Sequence, residues 1–287
     1  MDAVNLALCF LIFGLIVYPL VFVVSASFSD SIKMYQDPIV FLPRAFNVES
    51  YVHVFNYPDV WRGYRNSILY TALGTAINLV MTTLAAYPLS RRRLYGRSVF
   101  MVFFVFTMFF SGGIIPQYLV NRTLGILDTV WVIVLPMAIV VFNMIVMMTY
   151  FQTTIPHELE ESASIDGCSD FGILLRVVLP LSVPIVAVLA LFYGVMHWNQ
   201  YFQALIYLSN HDLYPLQLVL RNILILDQIS EIFGIAQAYD ERYAERIARR
   251  EGLKYAIVVV SCLPLLIIYP ALNKYLKKGI MIGSLKG

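Results

Sequence analysis

Hydrophobic residues in this chain gather in long blocks rather than in the alternating or one-faced patterns of water-soluble elements. The blocks lie at 4–24, 66–89, 98–115, 130–150, 181–207 and 255–272, each ending near proline, glycine or charge. About 20 apolar residues is the length a helix needs to cross a ~30 Å hydrocarbon core at ~1.5 Å per residue. The pattern predicts an all-α, polytopic membrane protein of about six transmembrane helices, one domain over 1–287, with both termini on the same side. The first block lacks a basic leader and an A-x-A cleavage pattern and exceeds a signal-peptide core, so it should stay as the first helix.

The polar segments divide unevenly. Two long ones, 29–65 and 208–254, fall on the outer side if the termini are cytoplasmic; neither is repetitive, so each should fold against something at the outer face. Within the second, the apolar run YPLQLVLRNILI is too short to cross a bilayer and must lie in the interface or pack on protein. The charged stretch 240–250 suits docking or a cap on the helix bundle equally. Inner segments are denser in Lys and Arg, chiefly Arg91, Arg92, Arg93 and Arg97, and Lys274, Lys277 and Lys278, and this supports cytoplasmic termini. These clusters read as membrane-surface anchors.

Composition sharpens the picture: 60% of the 287 residues are hydrophobic and 13% charged, against roughly 25% charged in a soluble domain. With mean hydropathy at +0.74, a disordered chain and an ordinary soluble enzyme are excluded. A net charge of +2 gives no reason to expect a nucleic-acid partner. Cys9, Cys168 and Cys262 make no metal or disulfide spacing and read as apolar fillers.

The inner segment 151–180 is too polar to span and too regular for a loose connection. Pro156 suits a first helical turn, Glu158, Glu160 and Glu161 place negative charge near the positive end of the helix dipole, and Gly167 supplies a left-handed stop. A short helix from about 156 to 166 is predicted. Ser169 can cap a second from Asp170, which meets the membrane at Pro180. Leu159, Ser162, Ala163 and Asp166 share one face of the first helix, small enough for another protein to approach closely.

Glu161-Ser162-Ala163, three residues, Gly167, nine residues, Val177, one residue, Leu179-Pro180 resembles the E-A-A-x3-G-x9-I-x-L-P signature of bacterial ABC importer permeases, with Ser for Ala and Val for Ile. The resemblance covers nearly the whole chain and is strongest to the carbohydrate branch of the maltose type, in particular to subunits for complex oligosaccharides such as plant-polysaccharide and alginate fragments. FFSGGIIPQYL (109–119), HWNQYF (197–202), LYPLQLVLR (213–221) and KGIMIGSLKG (278–287) are also family-like. The chain begins almost inside its first block, so the lead segment such permeases often carry is expected to be missing or trimmed. The resemblance implies the type I ABC importer fold, with 151–180 as the cytoplasmic coupling loop. Its first helix would sit in a cleft of an ATPase subunit, Glu161 facing that subunit and Gly167 permitting the turn, and the tail 278–287 would reach between the ATPases. Glu161, Ser162, Ala163, Asp166, Gly167, Leu179 and Pro180 are then the coupling residues.

No catalytic constellation appears: His157-Glu158 lacks the second His of HExxH, and no phosphate loop or G-x-S-x-G is present. The chain is read as a transport subunit with no metal and no cofactor of its own, ATP and Mg being held by partner ATPases. Ionisable groups, which cost about 2.5–3.5 kcal/mol in a span, are nearly absent from the blocks, against an ion-coupled carrier. Neutral polar groups do occur there. Ser67, Thr71, Thr75, Asn78 and Thr82 form a helical stripe that suits helix packing better than a pore. His197, Trp198, Asn199, Gln200, Tyr201 and Gln203 set aromatic faces beside amides, the combination that stacks on sugar rings and bonds their hydroxyls, which favours sugar contact over an interfacial aromatic belt; His197, Trp198, Asn199 and Tyr201, with Asn78 and Asn143, are the candidate substrate path.

The reading is a multi-pass permease subunit of the bacterial inner membrane, in an ATP-driven importer of oligosaccharides, with acidic ones such as alginate or pectin fragments among the candidates. Its expected partners are a second homologous permease chain, two ATPase subunits, an extracytoplasmic sugar-binding protein and the lipid bilayer. The alternatives are an importer permease for another small solute and an ion-coupled carrier.

Overall fold

A computed structural model describes residues 2–30, 33, 41–43, 45–233 and 252–267. The charged stretch 240–250 and the tail 278–287 lie outside these residues. Among the described residues the regular structure is helical, with one isolated antiparallel bridge between Ser29 and Phe46. The helices are α1 (Asp2–Ser27), α2 (Glu49–Phe55), α3 (Pro58–Ser90), α4 (Arg97–Phe109), α5 (Ile114–Thr123), α6 (Trp131–Val134), α7 (Val141–Thr154), α8 (His157–Ile165), α9 (Asp170–Leu181), α10 (Val183–Trp198), α11 (Phe202–Tyr207), α12 (Leu216–Phe233) and α13 (Gly252–Ile267).

Each of the six apolar blocks contains helix, but among the described residues two run unbroken at spanning length: 4–27 within α1, and α3. Up to four spans result if each bent pair counts as one. The block at 98–115 turns by 115° between α4 and α5, where Gly113 adopts φ +84°, a conformation that costs a residue bearing Cβ. The block at 181–207 begins at an 83° bend between α9 and α10, and a second break separates α10 from α11. The block at 130–150 is interrupted between α6 and α7.

The chain divides into two compact units, 1–64 with 216–266, and 65–215 with 267–287. In the first, the end of α1 is tied down by hydroxyls: Ser25 Oγ donates to Phe41 O at 2.7 Å, Ser29 Oγ to Ser25 O at 2.7 Å, and Ser27 Oγ lies 2.7 Å from Tyr51 Oη. Phe28 stacks on Phe46 at 5.6 Å between ring centroids. Leu216, Leu218, Val219 and Leu220 of α12 are buried, so the short apolar run of the second outer segment packs on protein, with Leu216 close to Gly63.

The second unit is built around Ala86, Tyr87 and Leu89 of α3, Met144, Met147, Met148 and Phe151 of α7, Ile173, Leu174 and Val178 of α9, and Ile185, Leu189 and Tyr193 of α10. Loop helices and spans therefore share one core. Between membrane helices this association rests on close contact and hydrogen bonds, since lipid tails are as apolar as the side chains. Thr82 Oγ1 lies 2.6 Å from Tyr193 Oη inside it. The sulfur-filler reading holds only for Cys168, which is half-buried against this core; Cys9 and Cys262 are exposed and all three thiols are free.

Candidate functional site

The segment 156–181 folds as a helix, a tight turn and a second helix. Pro156 precedes α8 in extended backbone at φ -63°, ψ 133°. At the other end Gly167 N donates to Ser164 O at 3.0 Å and Cys168 N to Ala163 O at 2.9 Å, the paired bonds of a Schellman stop, with Gly167 at φ +81°. Ser169 caps α9 by accepting from Gly172 N at 3.2 Å. Pro180 has no N–H to give Arg176 and its ring crowds that carbonyl, and α9 widens into a π turn over Leu174–Val178 just before it.

Glu161, Ser162 and Asp166 are exposed on α8, and beside them Leu159 and Ile165 present apolar surface, Ile165 at 85% exposure. Ala163, expected on the same outer face, turns partly inward onto the core, as does Leu179; Pro180 is exposed. A cleft of about 760 Å³ opens beside the loop, lined among others by Arg92, His157, Glu161 and Ile165.

Two residues behave differently from the sequence reading. Arg91, expected as a membrane-surface anchor, is only 6% exposed. Glu160, expected to place its charge near the helix dipole, is buried and paired with Arg91 Nη1. The guanidinium also lies 4.6 Å from the centroid of the Tyr87 ring. Arg93 keeps its surface position and bonds the exposed Asp170 carboxylate. Nothing in the sequence marks either partnership, because each joins residues of different elements.

Farther along α3, Asn78 is fully buried and is held at both ends: its Nδ2 donates to Met137 O, and its Oδ1 lies 2.6 Å from His197 Nε2. His197 Nδ1 lies 3.2 Å from Gln200 Oε1, and Gln200 Nε2 donates to Ile133 O at 3.3 Å and to Gln203 Oε1. The imidazole fits because Gly74 has no side chain: a Cβ there would lie 2.4 Å from His197 Nε2. Of the candidate path residues, Asn78, Asn143, His197 and Trp198 are therefore buried, while Asn199 and Tyr201 reach the surface, Tyr201 at 43% exposure. Ser67, Asn78 and Thr82 of the α3 stripe are interior, the packing role expected of them.

The loop region beyond α11 is anchored by groups that sequence reasoning missed. Asn66 Nδ2 donates to Asp212 O at 2.7 Å and Tyr214 O at 3.0 Å, and Tyr70 Oη to Leu213 O at 2.7 Å. Asp128, at φ +57°, accepts from Ser209 N at 2.9 Å and Asn210 N at 2.8 Å. The available signal for Asn66 was a polar amide inside an apolar block; no local pattern points to Asp128.

A helical chain with apolar spans and an exposed, rigidly capped loop helix is the architecture of a transport permease. Residues 61–282 match the family described as binding-protein-dependent transport system inner membrane component. This chain belongs to that family. It is 41% identical to the protein LplC of Bacillus subtilis (strain 168) over 94% of this chain and 90% of that one. It is 40% identical to the polygalacturonan/rhamnogalacturonan transport system permease protein YtcP of the same organism, over 96% and 95%. A solved bacterial ABC transporter involved in the import of the acidic polysaccharide alginate superposes with a TM-score of 0.84 at 31% identity, covering 96% of this chain and 95% of that one. The fold is that of a type I ABC importer permease, an inner-membrane transport subunit.

Proposed function

We propose that this chain is one membrane subunit of an ATP-driven importer of oligosaccharides, acidic ones first among them. The observation that carries the reading is the loop 156–181: Glu161 stands exposed on a helix closed by Gly167 at φ +81°, in the spacing the permease signature requires. The chain works with a second, homologous permease chain, two ATPase subunits that hold ATP and Mg, and an extracytoplasmic sugar-binding protein. Both termini and the loop lie on the cytoplasmic side. Closure of the ATPases displaces α8, and helix motions switch the path between outward and inward access. Support for an acidic oligosaccharide comes from the relatives, one named for polygalacturonan and one solved as an alginate importer.

The path residues take two roles in this reading. Asn199 and Tyr201 are surface groups able to meet sugar, an amide for hydroxyls and a ring for a pyranose face. Asn78, Asn143, His197 and Trp198 form the interior that holds them in place. The test is thermal stabilisation of the cognate binding protein by a panel of neutral and uronic-acid oligosaccharides, amino acids and phosphate, followed by uptake of the stabilising ligand through the assembled transporter. Stabilisation by oligogalacturonate or oligoalginate with matching uptake supports the reading; stabilisation only by amino acids or phosphate sinks it.

A further inference from the structure

The second unit contains one buried charge pair, among the described residues, between the loop and a spanning helix. Arg91 follows the last residue of α3, and its side chain is 7% exposed; Glu160 lies on α8 with its side chain 11% exposed. The guanidinium is held between the Glu160 carboxylate and the Tyr87 ring, while Arg91 Nε and Nη2 have no hydrogen-bond partner among the described residues. Among the described residues, the direct hold on this cation from the loop is therefore Glu160. The neighbouring pair of Arg93 and Asp170 is 67% and 71% exposed and screened by solvent. A buried ion pair exchanged for apolar groups often gains stability, so its presence is weak as a stability argument and points to another use.

Geometry supplies that use. The face of α8 free to meet a partner carries Leu159, Glu161 and Ile165, and Glu160 is the inward-facing residue between them. The end of α3 is further fixed by Gln152 of α7, whose Nε2 donates to Ser90 O at 3.3 Å. Thirteen residues back along α3, about 20 Å at the helical rise, lies Asn78 with its bond to His197. One continuous helix, with Pro88 inside its last turn, thus runs from the loop contact to the interior polar network.

We propose that the Arg91–Glu160 pair is the joint that converts displacement of α8 into displacement of α3, making both of them positioning residues for transport. This rests on the coupling-loop reading. The experiment uses the complete transporter in proteoliposomes, with sugar-loaded binding protein, and measures ATPase copurification and sugar taken up per ATP hydrolysed. If the ATPase does not copurify with the wild-type chain, the coupling-loop reading itself fails. Given that it does, R91M and E160Q should retain the ATPase yet transport at least tenfold less sugar per ATP. Rescue separates a joint from mere structural support: either the exchange R91E with E160R, or R91C with E160C joined by a short bismaleimide in a chain whose native cysteines are Ser, should restore the ratio to within threefold of wild type. The proposal is overturned if the single variants transport normally, if they lose the ATPase, or if both the exchange and the tether fail to restore coupling.

Discussion

Gly74 shows how much depends on a missing atom. A methyl placed there would sit 2.4 Å from His197 Nε2 and 2.5 Å from Cε1, so Gly74→Ala must push the imidazole off Asn78. Overpacking of this kind costs about 1–3 kcal/mol, and thermal unfolding of the detergent-solubilised chain should fall by several degrees; an unchanged midpoint would refute the network. Gly167 is the opposite case, with nothing within 4 Å of its Cβ position. Only its φ of +81° resists substitution, so Gly167→Asn should retain most uptake because Asn tolerates the left-handed region, while Gly167→Pro should abolish it. The role of Gly167 was readable from the chain because a helix stop is a local device. Gly74 and Asp128 were not, since their roles are set by His197, Ser209 and Asn210, which folding brings to them.

At the scale of the element, α8 presents two faces with separate predictions. Leu159→Asp and Ile165→Asp alter exposed positions and should change stability by no more than about 0.5 kcal/mol, yet reduce ATPase copurification severalfold in a pull-down. Ala163→Leu enlarges a side chain that packs on the core, and should lower the unfolding temperature as well. Equal losses of stability for all three would remove the distinction between faces. The helix, its stop and the Ser169 cap after it were legible because proline, serine and glycine act on their own neighbours. Where the spans break was less so: an apolar block records that a segment avoids water, whereas the 115° turn is made within such a block, at Gly113 with φ +84°. Likewise Arg91, Arg92 and Arg93 read as one surface cluster, although the core next to Tyr87 draws in Arg91 alone.

For the whole molecule, the sequence pattern and the structure agree on a helical chain with spans, and the match over 61–282 puts it in a family of inner-membrane transport components. In the function proposed above, the ATPases act on this chain through α8. The most direct test is Glu161→Lys, which reverses the charge on the exposed face of α8 while leaving the buried Glu160 in place. Binding-protein-dependent sugar uptake and ATPase copurification are measured on the same membranes, with the amount of permease chain checked separately. The account predicts normal chain in the membrane, loss of the ATPase and uptake reduced to background. Full uptake with the ATPase still bound would contradict it.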